Sequence, residues 1–368
     1  MRERKRVRPF ATRCLQGLLS ASLLVALACC RRMPVAADRP HPPGESPDQE
    51  PGVSAASLAV VINAADPLSE AIGRSYARAR RLQPRQLIRI RFRASSSLDR
   101  STFQHLFAEV QRQTPPGTQA YALAWAAPWR VECVSITSAF AFGRVRSSCQ
   151  DTCAPTPVSP YFAQGHVRRP WDELGMRPTI MLAATSLNRA KALIERGIAA
   201  DGSAPDGTAY LLSSSDPIRN VRAAAYPAVA RILGSQTRVR LFLADALRSR
   251  PDVLLLSVGA VHVDGITSNT YLPGALADHL TSLGGVLTGA SGQMSALRWL
   301  EAGATGSYGT VVEPCNHPGK FPDPGLALAY YRRGDTLLES YWRSVAMPDQ
   351  GVFIGEPLAR PWGKRWNM

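Results

Sequence analysis

Asp252-Val-Leu-Leu-Leu-Ser-Val-Gly259 carries an unbroken apolar run from Val253 to Leu256. A strand with one wet face alternates apolar and polar residues, whereas a strand covered on both faces does not need to. Such runs belong to parallel sheets flanked by helices on both sides. Working outward, Ser57–Ser69 begins as a buried strand and ends in turn and cap residues. A helix follows from Ser69, with Ile72, Tyr76, Ala79 and Leu82 spaced three or four apart. Gln86–Phe92 reads as a strand, Asp99–Gln113 as an amphipathic helix, and Gln119–Ala127 as another buried strand. Residues 178–185 lead into a helix over Ser186–Ala200, and Ala209–Asp216 is a strand.

Further along, 238–249 reads as helix or mixed, 274–284 as a helix, 284–289 (GGVLTG) as a strand and 293–303 as a helix. A strand over 304–312 and a helix over 337–347 precede GVFIGEPLARP. Alternating strands and helices predict an α/β domain with a mostly parallel sheet flanked by helices. Ligands in such sheets bind beyond the carboxyl ends of the strands. The residues that follow each strand are therefore the binding candidates: Asn63 and Asp66, then Arg130, His262, Ser291 and Gln293, and finally Glu313, Cys315, Asn316 and His317. They are expected to gather at one edge of the sheet. For Asn63 and Asp66, turn and cap chemistry is an equal alternative.

Glu313-Pro-Cys-Asn-His317 places a carboxylate, a thiol and an imidazole within five residues. One reading is a nucleophilic Cys315 with His262 or His317 as base, oriented by Asn316 or Glu313. The favoured alternative is a disulfide from Cys315 to Cys133 or to the Cys149/Cys153 loop. No Cys-x-x-Cys, His-x-x-x-His or acidic loop supports a metal site, and neither metal nor cofactor is assigned. Ser291 lacks the Gly-x-Ser-x-Gly spacing of a nucleophile elbow.

The first residues are crowded with arginine, and an apolar run spans Cys14–Cys30. A basic segment followed by a short apolar one is the layout of a secretory signal. Cleavage after Ala37 is favoured, with a lipid-bearing Cys29 as the alternative. Residues 38–52, rich in proline and polar side chains, read as a disordered linker, and 53–368 as a single domain. The protein is thus expected in the periplasm or cell envelope, touching membrane only through the signal or a lipid anchor. Four cysteines remain beyond Ala37, and an even number in an exported chain favours disulfides. The formal charge of +15 falls to +8 without 1–37, since that segment holds eight of the 43 basic residues and one of the 28 acidic ones. The arginines are scattered in pairs such as Arg80-Arg81 and Arg332-Arg333 rather than clustered with aromatic platforms, which argues against nucleic acid as a partner.

SITSAFAFG, RPTIMLAA, EAGATGSYGTVVEPCNH and VFIGEPLARP resemble an exported bacterial family of conserved hypothetical proteins. A weaker resemblance is to gingipain-like and caspase-like cysteine peptidases, in which a strand ending in Gly-His-Gly precedes one ending in the nucleophilic Cys. Here LLLSVGAVHVDG supplies the first strand with His262 displaced, and GGVLTGASGQ the second, with Ala290 or Ser291 where the Cys would stand. Gly355-Glu-Pro-Leu358 takes the place of a late Gly-Asp-Pro. The resemblance implies a caspase-like three-layer architecture with a broken dyad. The leading expectation is a degenerate, peptidase-like domain that binds an envelope ligand or protein, and the rival is a cysteine hydrolase using Cys315.

Overall fold

The computed structural model describes residues 52–146 and 149–363. The signal over 1–37, Cys29 and, apart from Gly52, the linker over 38–52 lie outside the described residues. Among the described residues the chain forms thirteen strands and nine α-helices. The strands are β1 (Leu58–Asn63), β2 (Leu87–Ile90), β3 (Ser97–Leu98), β4 (Ala120–Leu123), β5 (Arg130–Val131), β6 (Val134–Ser135), β7 (Thr179–Met181), β8 (Thr208–Ser213), β9 (Arg238–Leu243), β10 (Val253–Gly259), β11 (Tyr271–Leu280), β12 (Gly306–Thr310) and β13 (Gly351–Gly355). The helices are α1 (Pro67–Arg80), α2 (Arg100–Gln113), α3 (Ile136–Phe142), α4 (Pro170–Leu174), α5 (Leu187–Ala200), α6 (Tyr226–Leu233), α7 (Leu297–Ala302), α8 (Pro324–Arg332) and α9 (Leu337–Ser344).

Ten strands form one sheet in the order β2-β1-β4-β7-β13-β12-β11-β10-β8-β9. Strands β3, β5 and β6 make a small separate sheet. Every neighbouring pair in the large sheet is parallel except β12 and β13, whose register runs from Gly306 opposite Gly355 to Thr310 opposite Gly351. The sheet is therefore two five-stranded parallel halves pointing in opposite directions. Each half winds alike. The first strand sits between the second and the third, and the later strands continue inward.

Local chemistry explains the elements. All six residues of β1 and all seven of β10 are buried, as a strand covered on both faces requires. Asp66 caps α1 by accepting from the Leu68 N–H, and Pro67 opens the helix where no N–H is needed. The helix stops at Arg81, which adopts the left-handed conformation at φ 55°. Leu58, Val60 and Ile62 face α1 and α5, while Ala59 and Val61 face α2 and α3. In the second half, Ala209 and Leu211 face α6 and α8, and Tyr210 and Leu212 face α7. Helices thus cover both faces, giving the expected three layers.

Three expected elements come out differently. Residues 274–280, read as helix, form the inner part of β11. Their alanines and leucines favour helix locally, but parallel pairing with β10 and β12 overrides that preference. GGVLTG is a turn rather than a strand: the Gly285 N–H donates to Thr310 O, and a Cβ on Gly285 would lie 2.5 Å from Gly309 O. Only a side-chain-free pair lets this turn lie against β12. Residues 238–243, read as helix or mixed, are strand β9.

A buried ion cluster fastens the last strand. Arg80, at the end of α1, donates through Nε to Glu356 Oε1 at 2.8 Å and pairs through Nη1 with Asp201. Glu356 is fully buried just beyond β13. Burial opposes the charge on Arg80, but Glu356 outweighs it and the guanidinium holds its proton more tightly than usual. Removing one partner of a buried pair leaves an uncompensated charge, at a cost of about 3–5 kcal/mol. Glu356→Ala is therefore expected to lower the urea-unfolding free energy by about that much. The exposed Glu132, paired with Arg100 on the surface, provides the control. Its alanine variant should cost under about 1 kcal/mol, and equal losses would contradict this account.

Candidate functional site

The reversal at β12 and β13 divides the candidate residues. Asn63 and Asp66 follow β1 at the carboxyl edge of the first half. His262, Ser291, Gln293 and the Glu313–His317 loop follow β10, β11 and β12 at the opposite edge. Arg130 lies in β5 of the small sheet, with its guanidinium 5.0 Å from the centroid of the Trp129 ring. The expected single gathering is corrected accordingly, because it assumed one direction for all strands.

At the first edge the polar groups are structural. Asn63 Oδ1 accepts from the Ala65 N–H at 3.0 Å and from the Phe92 N–H at 3.3 Å, and its Nδ2 donates to Phe92 O. That side chain ties the end of β1 to the segment after β2. Asp66 is spent on the α1 cap.

At the second edge, the sulfur of Cys315 is bonded to Cys153, and Cys133 is bonded to Cys149. The nucleophile assignment is therefore corrected for this state: Cys315 carries no thiol. Its backbone is held left-handed at φ 56°, followed by Asn316 at φ 53°, and the Cys315 N–H donates to Glu313 Oε1 at 2.7 Å. His317 caps a short 3-10 turn, its Nδ1 accepting from the Gly319 N–H at 3.2 Å. His262 is exposed, with Nε2 at 3.1 Å from Gly292 O. Neither imidazole is hydrogen-bonded to Cys315. Ser291 Oγ donates to Gln293 O and accepts from the Gln293 N–H, a local turn. Gln293 Oε1 accepts from Thr281 Oγ1 at 2.8 Å and from the Leu283 N–H at 2.7 Å, pinning the chain after β11.

Lys320 is fully buried beside this loop. Its Nζ donates to Thr152 O at 2.8 Å and to Cys153 O at 3.4 Å, and Gln350 Nε2 also donates to Thr152 O. Burial lowers the affinity of the lysine for its proton. The segment around Cys149–Cys153 is thus held by two disulfides and two side chains across the end of β12.

Several residues at this edge escaped the sequence reading. Ser213–Ser215 and Asp245 line a depression of about 250 Å3 at the carboxyl ends of β8 and β9. Ser215 donates from both N–H and Oγ to Asp245, and Asn220 accepts from the Ser214 N–H. The run SSSD directly after a buried strand was the available signal. Beneath the edge, Arg222 and Asp278 form a buried pair at 2.6 Å. Burial opposes charge on Arg222, but Asp278, together with Tyr226 and Asp323, outweighs it and raises the affinity of the guanidinium for its proton.

His279, beside Asp278, is 1% exposed. Its Nδ1 accepts from Trp299 Nε1 at 2.9 Å, so Nε2 carries the proton and donates to Met294 O at 3.0 Å. A second ring proton would meet the indole N–H, and burial already disfavours it, lowering the pKa to about 3. Both residues were missed because 274–284 read as a helix. Among the described residues, no group of three or more His, Cys, Asp or Glu side chains is placed to hold a metal ion.

Comparison with family models gives no match, and neither do the curated proteins. Among solved structures, the chain is similar to the Arg-specific cysteine proteinase gingipain R, with 10% identity, a TM-score of 0.42, and 85% of this chain and 80% of that one covered. It is also similar to a complex of the pro- and mature domains of RgpB from Porphyromonas gingivalis, with 9% identity, a TM-score of 0.38, and 82% and 79% covered. A structure described only as a protease gives 9% identity, a TM-score of 0.41, and 85% and 80% covered. A likeness of this depth extends to neither mechanism nor substrate.

The neutral lock on His279 predicts a pH dependence. Unfolding frees an imidazole of ordinary pKa near 6.5, so between that value and about 3 the unfolded chain binds more protons. The contribution of His279 is complete above pH 6.5 and is lost as pH falls towards 3, with a slope of up to about 1.4 kcal/mol per pH unit. His279→Gln should flatten the curve of unfolding free energy against pH in that window. Identical slopes in the two proteins would refute the lock.

Proposed function

We propose that this chain is an exported, degenerate peptidase-like α/β domain that binds a ligand or partner protein in the cell envelope and performs no thiol catalysis. The supporting observation is the pairing of all four cysteines beyond the leader, which leaves Cys315 without a thiolate. Ala290 or Ser291, read from the sequence at the place of the peptidase nucleophile, follows a turn rather than a strand, and Ser291 is engaged with Gln293 in that turn. A further feature fits the assignment. Disulfides persist in oxidising compartments, as expected for a chain with a secretory leader over 1–37. Binding is assigned to the carboxyl edge of the second half, where the exposed Ser215, Asp245 and His262 carry hydroxyl, carboxylate and imidazole groups.

The test is alkylation of the exported protein with iodoacetamide before and after reduction, followed by peptide mapping. The expected outcome is no labelling of Cys133, Cys149, Cys153 or Cys315 before reduction, and linked peptides joining 133 to 149 and 153 to 315. Rapid labelling of Cys315 near neutral pH would overturn the proposal in favour of a cysteine hydrolase using His262 or His317.

A further inference from the structure

The two outer strands of the ten-stranded sheet are treated differently. On one side, Gln113 of α2 reaches over β2: its Oε1 accepts from the Arg89 N–H at 3.1 Å and its Nε2 donates to Arg89 O at 2.9 Å. That edge is blocked by a side chain imitating a strand. On the other side, β9 pairs along its six residues with β8 alone. Among the described residues, nothing meets its outward N–H and C=O groups. An open edge of this length is a template for another strand, which proteins ordinarily blunt.

The side chains of β9 divide by face. Val239 packs into the core on the α6 side, and Leu241 and Leu243, at the same parity, are 46% and 92% exposed. Ile232 on α6 is 69% exposed and Ile218 before it 60%. These four account for most of the large apolar side chains that the described residues leave exposed, the others being Val158 and Trp171. The opposite face carries Arg238 and Arg240, both exposed, beside Phe242. Arg240 has no ion-pair partner among the described residues, and Arg238 pairs with Asp206, itself 87% exposed at the side chain, and with Asp252 at 3.7 Å.

We infer that β9 is a docking edge for an extended segment of a partner protein in which acidic and apolar residues alternate. Added beside β9, such a segment satisfies the open backbone groups. Its apolar residues fall next to Leu241 and Leu243, and its carboxylates next to Arg238 and Arg240, because facing residues on paired strands share a face. Charge argues against a second copy as the occupant. Antiparallel pairing of two β9 strands about an axis normal to the sheet brings the arginines of both chains to one face. This surface adjoins the depression at Leu243, which lines both, but the inference rests on the open edge and side chains of β9 and does not depend on the binding role proposed for the depression.

The probe is a fluorescein-labelled peptide of about nine residues alternating Glu and Val, titrated with the whole exported protein and followed by anisotropy. Its counterpart alternates Lys and Val. The acidic peptide is expected to bind and to weaken as salt rises, and the basic one is not. Arg240→Glu is expected to weaken binding by about tenfold or more, and Leu241→Asp to do likewise, both with unchanged melting temperature. A double variant, Arg89→Glu with Gln113→Glu on the blocked edge, should bind as the native protein does. Absence of binding, equal binding of both peptides, or indifference to both β9 variants overturns the inference. So does a dimer in sedimentation that Leu241→Asp dissociates, since the edge would then belong to a second copy.

Discussion

Strands β12 and β13 pair antiparallel in the middle of an otherwise parallel sheet, and much else follows from that one ladder. It joins two halves that wind in the same order, and it sends their carboxyl ends to opposite edges. A doubly wound sheet offers its crevice where the strand order reverses, between the first and third strands of the winding. This protein therefore has two such places, one beyond β1 and β4, the other beyond β8 and β10. At the end of β1, Asn63 ties the chain to the segment after β2. At the end of β8, Ser214 Oγ donates to Gly259 O of β10, while Ser215 bonds Asp245 on the β9 side. Two similarly wound halves thus carry different polar chemistry at their carboxyl ends.

The ladder is held from both ends. Beyond Gly355, Glu356 is gripped by Arg80. Before Gly351, Gln350 reaches to the Thr152 carbonyl that Lys320 also holds. The segment between Cys149 and Cys153 is thereby fixed over the point where the halves meet. Disulfide and lysine act on the same stretch of backbone, so the chemistry concentrated in Glu313–His317 serves to fasten a loop.

Much of this was legible in the sequence wherever the signal was local. Continuous apolar runs gave β1 and β10, Asp66 followed by Pro67 gave the start of α1, and cysteine parity with an exported leader pointed to disulfides. What failed was non-local. Ala277 and Leu280 carry helix preference, and only their neighbours β10 and β12 make them strand, which also hid Asp278 and His279. The turn at Gly284-Gly285 depends on a close approach to Gly309, which no pattern within the turn announces. Strand direction is set by where β13 inserts, and a strand late in the chain carries no mark of the slot it will occupy. The rule of carboxyl ends therefore chose sensible residues and assigned them to one edge when they belong to two.

The place of β13 in the order of synthesis has its own consequence. The strand that fills the centre of the sheet leaves the ribosome after the sheet's nine other described strands and after α8 and α9. Until it arrives, β7 and β12 each lack a sheet neighbour on the inner side, and the halves meet only through contacts such as those of Arg196 on α5 with the Leu300 and Ala304 carbonyls. A chain emerging from its N-terminus can wind each half, but cannot close the sheet before residue 355 is free. Its contacts of longest range form last, the regime in which folding is slow. Delayed closure keeps the polypeptide open while it is being made, which fits the export proposed for this chain.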